Sequence, residues 1–244
     1  MDNKERLHRM YVEVFPQEIE DPKEIEVIWI LSTGRCATLT MSVLLHACEN
    51  VTCFHEPIPR LKHHFTKALK KEAGGIDLLD LVYSARIDLT STVKAFGYIY
   101  AEAGHQTTPF AYEIKQIYPR AKFIWLERDR DSFIDSAIRW GWYNSDDKYI
   151  KYRPFYKLVG SVPRETILEK HWELVSNFIN DFVNAQARED WCYVDFQRVK
   201  DKDLKDLFRQ LVKWGVVKPP TEDMIQQILE VKLNAGPPGP KNYF

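Results

Sequence analysis

Short β-branched apolar runs alternate along the chain with longer segments whose apolar residues recur at helical spacing. The run EIEVIWIL at 24–31 is typical of a buried strand, and TLTMSVLLHAC at 38–48 has the apolar spacing of a helix. Later in the chain, KFIWLERD at 122–129 predicts another strand, and DSFIDSAIRWGW at 131–142 predicts an amphipathic helix. Because these strands are too far apart to form hairpins, the pattern favours a parallel sheet with helices on both of its faces.

The same criteria predict the remaining elements. Residues 61–90 contain either two helices or a helix and a loop, and residues 140–165 mix aromatic and charged side chains without a period. A stretch of the second kind is typical of a long surface segment or a lid over a site. We therefore expect one α/β domain over residues 1–244, with 140–165 as a candidate substrate lid. Further strands are predicted at 51–54, 91–100 and 191–199, and further helices at 110–121 (ending at Pro119), 165–187, 203–215 and 221–233, the last capped by Thr221.

Composition narrows the class of protein. The chain has 244 residues, 45% hydrophobic and 28% charged, which is globular and suits one α/β domain. Its net charge of -1 argues against a nucleic-acid partner, although a local anion site remains compatible with it. The N-terminal run MDNKERLHRMYVEVF is charged and no run is long enough to span a bilayer, so we expect a cytoplasmic protein without a membrane partner.

Cysteine usage fits a reducing compartment. The four cysteines form no C-x-x-C pair, so we interpret them as thiols. A cluster with metal-ligating side chains does occur, but its spacing matches no common zinc pattern, and we predict no metal. That cluster consists of His46, Cys48, Cys53 and His55.

The turn after the first predicted strand is a candidate anion site. Its sequence, STGRCAT, runs into a helix that begins at about Thr38, so backbone N–H groups and a helix N-terminus converge there. Gly34 permits a close approach, Arg35 adds a cation and Thr38 adds a hydroxyl. The turn is not a triphosphate loop, which needs G-x-x-x-x-G-K-[ST]. An ordinary turn with a surface arginine is the alternative.

Three further places carry candidate chemistry. Arg128 ends a strand and Ser136 lies on the helix that follows, which makes a second anion site or, alternatively, an arginine paired with nearby aspartates. His55 and Glu56 follow the second strand, where either side chain could accept a proton, unless Glu56 pairs with Arg60. Lys94, in a strand-like apolar stretch, needs either a route to solvent or an anionic partner.

Two anion sites on neighbouring strands suggest a ligand with two separated phosphate groups. The motifs TGRCATL, HEP and AKFIWLERDRDSFIDS resemble, in that order, elements of the sulfotransferases that use 3′-phosphoadenosine 5′-phosphosulfate (PAPS). The eight-residue gap from Arg128 to Ser136 is the family's spacing. The resemblance is good over about 25–60 and 110–142 and weaker elsewhere. It implies a P-loop-like fold and transfer of a sulfuryl group to a hydroxyl or amine, most simply of a small molecule.

The resemblance also implies roles for individual residues. Glu56 would be the base, with His55 as a substitute. Arg35 would bind the departing phosphate, and Lys94 would reach the transferring group. No metal is implied. The PAPS-binding residues would be Thr33, Gly34, Arg35, Cys36, Ala37, Thr38 and Leu39 for the 5′-phosphosulfate, Arg128 and Ser136 for the 3′-phosphate, and Gly239 and Lys241 in a closing loop.

The sequence departs from the family pattern in several places. Ala37 replaces a usual glycine, which makes the turn's backbone less free, and Arg130 stands where many members have proline. In the closing loop, Asn234 and Pro240 replace an expected base and tryptophan. Two other functions remain as alternatives, a small-molecule kinase and a non-catalytic nucleotide-binding domain. The kinase would need a lysine-containing loop and a magnesium carboxylate, neither of which the motifs supply.

Overall fold

Five parallel strands form the sheet of the computed structural model, which describes residues 21–70 and 77–231. The strands are β1 (Val27–Leu31), β2 (Val51–His55), β3 (Ile99–Ala103), β4 (Lys122–Glu127) and β5 (Trp191–Asp195). Their order across the sheet is β2-β3-β1-β4-β5, and each neighbouring pair is parallel. In a parallel sheet all carboxyl ends meet at one edge, which is where such folds bind ligands.

Helices cover both faces of this sheet. Alternate residues of β1 enter different hydrophobic clusters, Trp29 packing with Tyr100 and Phe123 on one face, and Ile30 packing with Ile124 on the other. This confirms the predicted α/β fold with helices on both faces. The helices are α1 (Thr38–His46), α2 (Phe65–Leu69), α3 (Leu78–Ala95), α4 (Ala111–Ile117), α5 (Arg130–Arg139), α6 (Arg164–Asn184), α7 (Phe196–Lys200), α8 (Lys205–Lys213) and α9 (Glu222–Glu230). None of the helices within 21–70 and 77–231 has the length and apolar character needed to cross a membrane.

The predicted strand at 91–100 is wrong in its first half. Asp77 caps α3 by accepting from the backbone N–H groups of Leu79 and Asp80, and the helix then continues to Ala95. Packing decides the outcome, because Val93 is buried on the same helix face as earlier α3 residues, and this overrides the strand preference of Thr and Val. The strand itself begins only at Ile99, after a turn at Gly97.

One other boundary differs clearly from prediction. The strand predicted at 191–199 ends at Asp195, whose carboxylate accepts from the N–H of Gln197 at 2.7 Å and caps α7. Cap formation therefore ends the strand four residues early. Thr221 caps α9 as predicted. The closing loop, including Gly239 and Lys241, lies outside the described residues.

The segment 140–165 is irregular, as predicted, and is held by side chains. It contains turns and two short 3₁₀ helices, Ile150–Tyr152 and Tyr156–Leu158. Arg164 donates to the carbonyl oxygens of Trp142 and Ile138, both at 2.7 Å. The buried guanidinium of Arg153 donates to Asp147, also at 2.7 Å. These contacts give the segment a defined path beside α5 and α6.

Candidate active site

The turn after β1 has an unusual backbone. Gly34, Arg35 and Ala37 have φ of 88°, 58° and 60°, which lie in the left-handed region. Ala37 precedes α1, and no side chain caps that helix, so its first N–H groups lack a side-chain acceptor. Turns with left-handed residues before a helix often point several backbone N–H groups toward one place, where they can bind an anion.

Gly34 is required for close packing as well as for its conformation. A Cβ added there would lie 2.7 Å from Cη2 of Trp142 and 3.2 Å from Cγ of His105. Both contacts are shorter than ordinary van der Waals distances, and the positive φ already disfavours a side chain. The glycine therefore allows two aromatic rings to lie against the turn.

Arg35 and Arg128 meet beside Ser136. Nε of Arg35 donates to Oγ of Ser136 at 3.3 Å, and Nη1 of Arg128 donates to the carbonyl oxygen of Arg35 at 2.7 Å. The Arg35 guanidinium lies 4.0 Å from the ring centroid of Trp140. Burial, and then the charge of Arg128, lower the pKa of Arg35 to about 10. The structure thus joins the two predicted anion sites, which follow the adjacent strands β1 and β4.

Arg128 has unused hydrogen-bonding capacity. Its Nε is buried and has no partner among the residues described. It forms no ion pair within that part of the chain, whereas Arg130 pairs with Asp131 and Glu169. The predicted alternative, an arginine neutralised by nearby aspartates, is therefore not observed for Arg128. A buried donor without a partner fits an anionic ligand.

His55 and Glu56 lie at the carboxyl end of β2. Nε2 of His55 is 3.2 Å from Oγ1 of Thr38, so this residue contacts the turn that precedes α1. Glu56 has a φ of 50°, and burial raises the pKa of its carboxyl group, although Arg60 and Lys62 oppose that rise. Burial, and then the charge of Arg60, lower the pKa of His55. The alternative raised by the sequence, a Glu56–Arg60 ion pair, is not among those formed within 21–70 and 77–231.

Glu56 has a titratable neighbour, His105, that the sequence did not suggest. Nδ1 of His105 lies 3.6 Å from Oε1 of Glu56. A Cβ on the preceding Gly104 would lie 3.0 Å from Cγ of Glu56, so the glycine gives the glutamate its place against β3. His105 follows β3 as Glu56 follows β2.

A cavity of about 370 Å³ brings these groups together. Five of the predicted site residues line it, namely Arg35, Thr38, Leu39, His55 and Glu56. The segment 140–165 supplies one wall of the cavity. The other lining residues are Arg60, Lys62, Phe65, His105, Gln106, Trp140, Trp142, Tyr149, Tyr152, Arg153 and His171.

Lys94 is not brought to this site. It lies in the last turn of α3, before β3 begins, and hence at the amino-terminal edge of the sheet. The cavity lies at the carboxyl edge. We therefore withdraw Lys94 as a candidate for the transferring group.

Cys36 is part of the turn's interior. Its side chain is buried, and Sγ donates to the carbonyl oxygen of Gly34 at 3.0 Å. Burial raises the pKa of this thiol to about 11, so it stays protonated at neutral pH. All four cysteines are free, and the described residues contain no group of three His, Cys, Asp or Glu side chains arranged to hold a metal. The cluster weighed from the sequence is thus not assembled.

A buried ion pair supports the segment that follows Glu56. Arg86 binds both carboxylate oxygens of Glu102, at 2.6 and 2.9 Å, and Tyr100 donates to the same carboxylate at 2.7 Å. The guanidinium also donates to the carbonyl oxygen of Pro59 at 2.8 Å. Because α3 and β3 hold the pair, the turn after β2 is anchored to the core.

The comparison with protein families identifies the class. A family model described as a sulfotransferase domain matches residues 26–227, which is more than half of the chain. The chain therefore belongs to the sulfotransferase family and is a sulfotransferase by class. No curated protein matches it significantly.

Solved structures agree on the fold. The sulfotransferase domain from the curacin biosynthetic pathway has a TM-score of 0.54 and 16% identity, covering 89% of this chain and 82% of its own. A sulfotransferase from Mycobacterium avium has a TM-score of 0.55 and 9% identity, covering 96% and 72%. The sulfotransferase domain of the Synechococcus PCC 7002 olefin synthase has a TM-score of 0.50 and 13% identity, covering 87% and 81%. At such low identity the likeness establishes the fold alone.

Proposed function

We propose that this enzyme transfers a sulfuryl group from PAPS to a hydroxyl or amine of a small acceptor, with Glu56 as the base. One observation carries the proposal: a single cavity is lined by the turn residues Arg35 and Thr38 and by Glu56. Groups that bind an anion and a group that accepts a proton thereby face the same space. A sulfuryl transfer needs both, because one oxygen leaves with negative charge while the attacking atom loses a proton.

The donor side consists of the turn after β1, Arg128 directly after β4, and Ser136 on α5. We assign the 5′-phosphosulfate to the turn, Thr33 to Leu39, and the 3′-phosphate to Arg128 and Ser136. The uncapped N-terminus of α1 and the unpartnered Nε of Arg128 support this assignment, since both supply N–H donors without acceptors. Arg35 connects the two assigned phosphate sites, since it belongs to the turn and its Nε donates to Oγ of Ser136.

The chemistry assigned to the protein is positional and electrostatic. PAPS supplies the sulfuryl group, which moves in line to the acceptor oxygen or nitrogen. Arg35 and the α1 N–H groups stabilise the negative charge that remains on the departing bisphosphate. Glu56 takes the proton from the acceptor. Its raised pKa makes it a stronger base than a solvated carboxylate.

The acceptor side fits a small molecule. A volume of about 370 Å³ is at the lower end of the range for small-ligand sites. Trp140, Trp142 and Tyr149 supply apolar wall, and they come from the segment that we propose as the substrate lid. The four free cysteines support a cytoplasmic location.

The donor assignment is tested by ligands with and without a 3′-phosphate. Ser136→Ala should weaken binding of adenosine 3′,5′-bisphosphate by roughly 0.5–1.5 kcal/mol, and Arg128→Ala by roughly 1.5–3 kcal/mol. Adenosine 5′-phosphosulfate should lose less in both variants, although Arg128→Ala also removes the bond to the Arg35 carbonyl. Calorimetric titration measures both ligands. Ser132→Ala, one helical turn earlier on α5, is the matched control.

Equal losses for the two ligands would contradict the 3′-phosphate assignment. Catalysis itself is tested by mass spectrometry of an acceptor panel incubated with PAPS. Sulfated product separates an enzyme from the non-catalytic domain that the sequence left open. Transfer from ATP but not from PAPS would instead favour the kinase.

A further inference from the structure

Two cations on the wall of the cavity form no close ion pair with a carboxylate in the described part of the chain, although both are near enough to Glu56 to lower its pKa. Arg60 and Lys62 follow Glu56 on the segment after β2, and both line the cavity. Among residues 21–70 and 77–231, neither forms an ion pair within 4.0 Å, whereas Arg153, a lining residue of the segment 140–165, is paired with Asp147. Arg60 is exposed, and the ammonium group of Lys62 lies 4.1 Å from the ring centroid of Tyr149.

The balance of charge in the cavity is positive. Four cationic side chains line it, and Glu56 is the only lining carboxylate among the residues described. The lining histidines add no positive charge, because burial lowers the pKa of His55, His105 and His171 and keeps their rings neutral at neutral pH. Arg153 is neutralised by Asp147, and Arg35 is assigned to the donor. Arg60 and Lys62 are therefore the lining cations that are available to bind a further anionic group.

These two cations follow a different strand from Arg128, the residue assigned to the 3′-phosphate. They follow β2, at the edge of the sheet, whereas Arg128 ends β4, which is separated from β2 by β3 and β1. Three strand spacings separate β2 from β4, which corresponds to about 14 Å between these two strands. Arg60 and Lys62 are thus on the Glu56 side of the cavity, where the acceptor must bind if Glu56 takes its proton.

An aromatic surface formed by Tyr149 and Tyr152 lies next to Arg60 and Lys62, and contacts with the segment after β2 hold it in place. Oγ1 of Thr66 donates to the carbonyl oxygen of Tyr152 at 2.6 Å. The rings of His63 and Tyr152 contact edge to face, with centroids 4.4 Å apart. Together with the Lys62–Tyr149 contact, these bonds fix the segment after β2 against the segment 140–165. A cation pair beside a fixed aromatic wall suits a ligand with an anionic end and an apolar body.

We propose that the acceptor is a hydroxy or amino compound that carries a carboxylate, which Arg60 and Lys62 bind while the reacting group faces Glu56. This inference rests on the proposed function, since it takes the same cavity as the acceptor site. It names the class of substrate and two residues that determine specificity.

Matched ligand pairs test the proposal without requiring turnover. The enzyme, saturated with adenosine 3′,5′-bisphosphate, is titrated calorimetrically with 3-(4-hydroxyphenyl)propanoate and with its uncharged carboxamide. A panel of aryl and alkyl hydroxy acids and amino acids, each with its amide, extends the comparison. At least one carboxylate should bind about 10–100-fold more tightly than its amide, the value of one charge-assisted hydrogen bond.

The double variant Arg60→Gln/Lys62→Gln should reduce that ratio to nearly one. The control Lys67→Gln/Lys70→Gln removes the same number of charges from exposed positions just beyond the cavity, and should keep the ratio. The proposal is overturned by equal affinity for carboxylates and amides, by a preference that survives in the double variant, or by no binding of any panel carboxylate up to millimolar concentration.

The titrations also distinguish a failure of the donor assignment from a failure of the carboxylate proposal. If the double variant loses bisphosphate affinity and keeps the carboxylate preference, then the two cations belong to the donor and this proposal is wrong. If the wild-type enzyme binds no bisphosphate, the proposed function fails. The carboxylate preference is then measured on the free enzyme and decides the present proposal by the same criteria.

Discussion

Nδ1 of His105 lies 3.6 Å from Oε1 of Glu56, yet the two do not form a pair of opposite charges. Burial, followed by the charge of Arg153, lowers the pKa of His105 to about 3, so the imidazole is neutral at physiological pH. The same burial raises the pKa of Glu56. A buried carboxylate beside a neutral ring has a larger free-energy gain from taking up a proton than a solvated carboxylate has.

Replacing Glu56 by Gln should remove the base. A general base contributes about 10²–10⁴ in rate, so kcat should fall by about that factor while adenosine 3′,5′-bisphosphate binds normally. His55→Gln should cost less, because His55 contacts Thr38 rather than standing free in the cavity. The measurement is kcat for both variants, with bisphosphate affinity as the control for folding.

A larger loss of kcat in His55→Gln than in Glu56→Gln would assign the role of base to His55. If Glu56→Gln retains normal kcat and His55→Gln loses it, then His55 is the base. If neither variant differs from the wild type, the acceptor loses its proton without help from this turn.

The pH profile of kcat/KM should report the same carboxyl group. Glu56 must be ionised to act, and its pKa lies above the 4.5 of an ordinary glutamate, so activity should fall with decreasing pH around a midpoint above 4.5. The charge of Lys62 lowers this pKa. Lys62→Gln should therefore move the acid limb to higher pH, whereas Lys67→Gln should leave it in place. An unchanged limb in Lys62→Gln would mean that another group controls it.

Stability should change in the direction opposite to activity. Because the folded-state pKa of Glu56 is raised above its unfolded value, the stability that this group contributes is present below the unfolded pKa and is lost as pH rises through the folded pKa. At pH 7 the wild type thus carries a buried negative charge that Glu56→Gln lacks. The variant should have a higher Tm at pH 7 and no such advantage near pH 4. Thermal unfolding at the two pH values measures this, and a lower Tm at pH 7 would show that the carboxylate is stabilised by the fold.

The sequence was informative where burial alone determines the structure. β1 and β4 are apolar runs that pair at the centre of the sheet, so the ends of these strands, where the two candidate anion sites lie, could be predicted. β3 could not be placed correctly, because packing extends α3 through Thr92 and Val93. That error concealed His105. With β3 placed correctly, the sequence Gly104-His105 stands at the carboxyl end of a strand, the position at which His55 and Glu56 were recognised.

The far wall of the cavity depends on contacts distant in sequence. Arg153 lies 3.8 Å from the ring centroid of Trp142, and Tyr143 OH lies 2.8 Å from Nδ1 of His171 on α6. No period in residues 140–165 predicts these contacts, since each side chain is positioned by tertiary neighbours. The character of the segment could be predicted, whereas the identity of its lining residues could not.

Chelation should leave the activity unchanged. The cations assigned to the donor are Arg35 and Arg128, which are side chains of the protein and are not removed by EDTA. Initial rates with PAPS, measured with and without excess EDTA, should agree. Loss of activity that Mg²⁺ or Zn²⁺ restores would contradict the proposed mechanism.

Ala37→Gly should stabilise the enzyme, although this change usually destabilises a protein. Ala37 has φ 60° and ψ 34°, a left-handed conformation that costs a residue with a Cβ about 1–2 kcal/mol. Glycine is also preferred over alanine before the first turn of a helix. Against this gain stands the greater entropy that glycine loses on folding, roughly 0.5–1 kcal/mol.

The expected net gain for Ala37→Gly is therefore up to about 1.5 kcal/mol. Each kcal/mol corresponds to a rise in Tm of about 2–4 °C in a protein of this size. Ala47, which follows the other end of α1 with φ −76°, provides the matched control, because glycine there relieves no strain and should lower Tm. Thermal unfolding of both variants measures the difference. Bisphosphate affinity should be retained in Ala37→Gly, since the backbone N–H groups of the turn keep their directions. A lower Tm for Ala37→Gly than for the wild type would show that the turn holds this left-handed residue without strain.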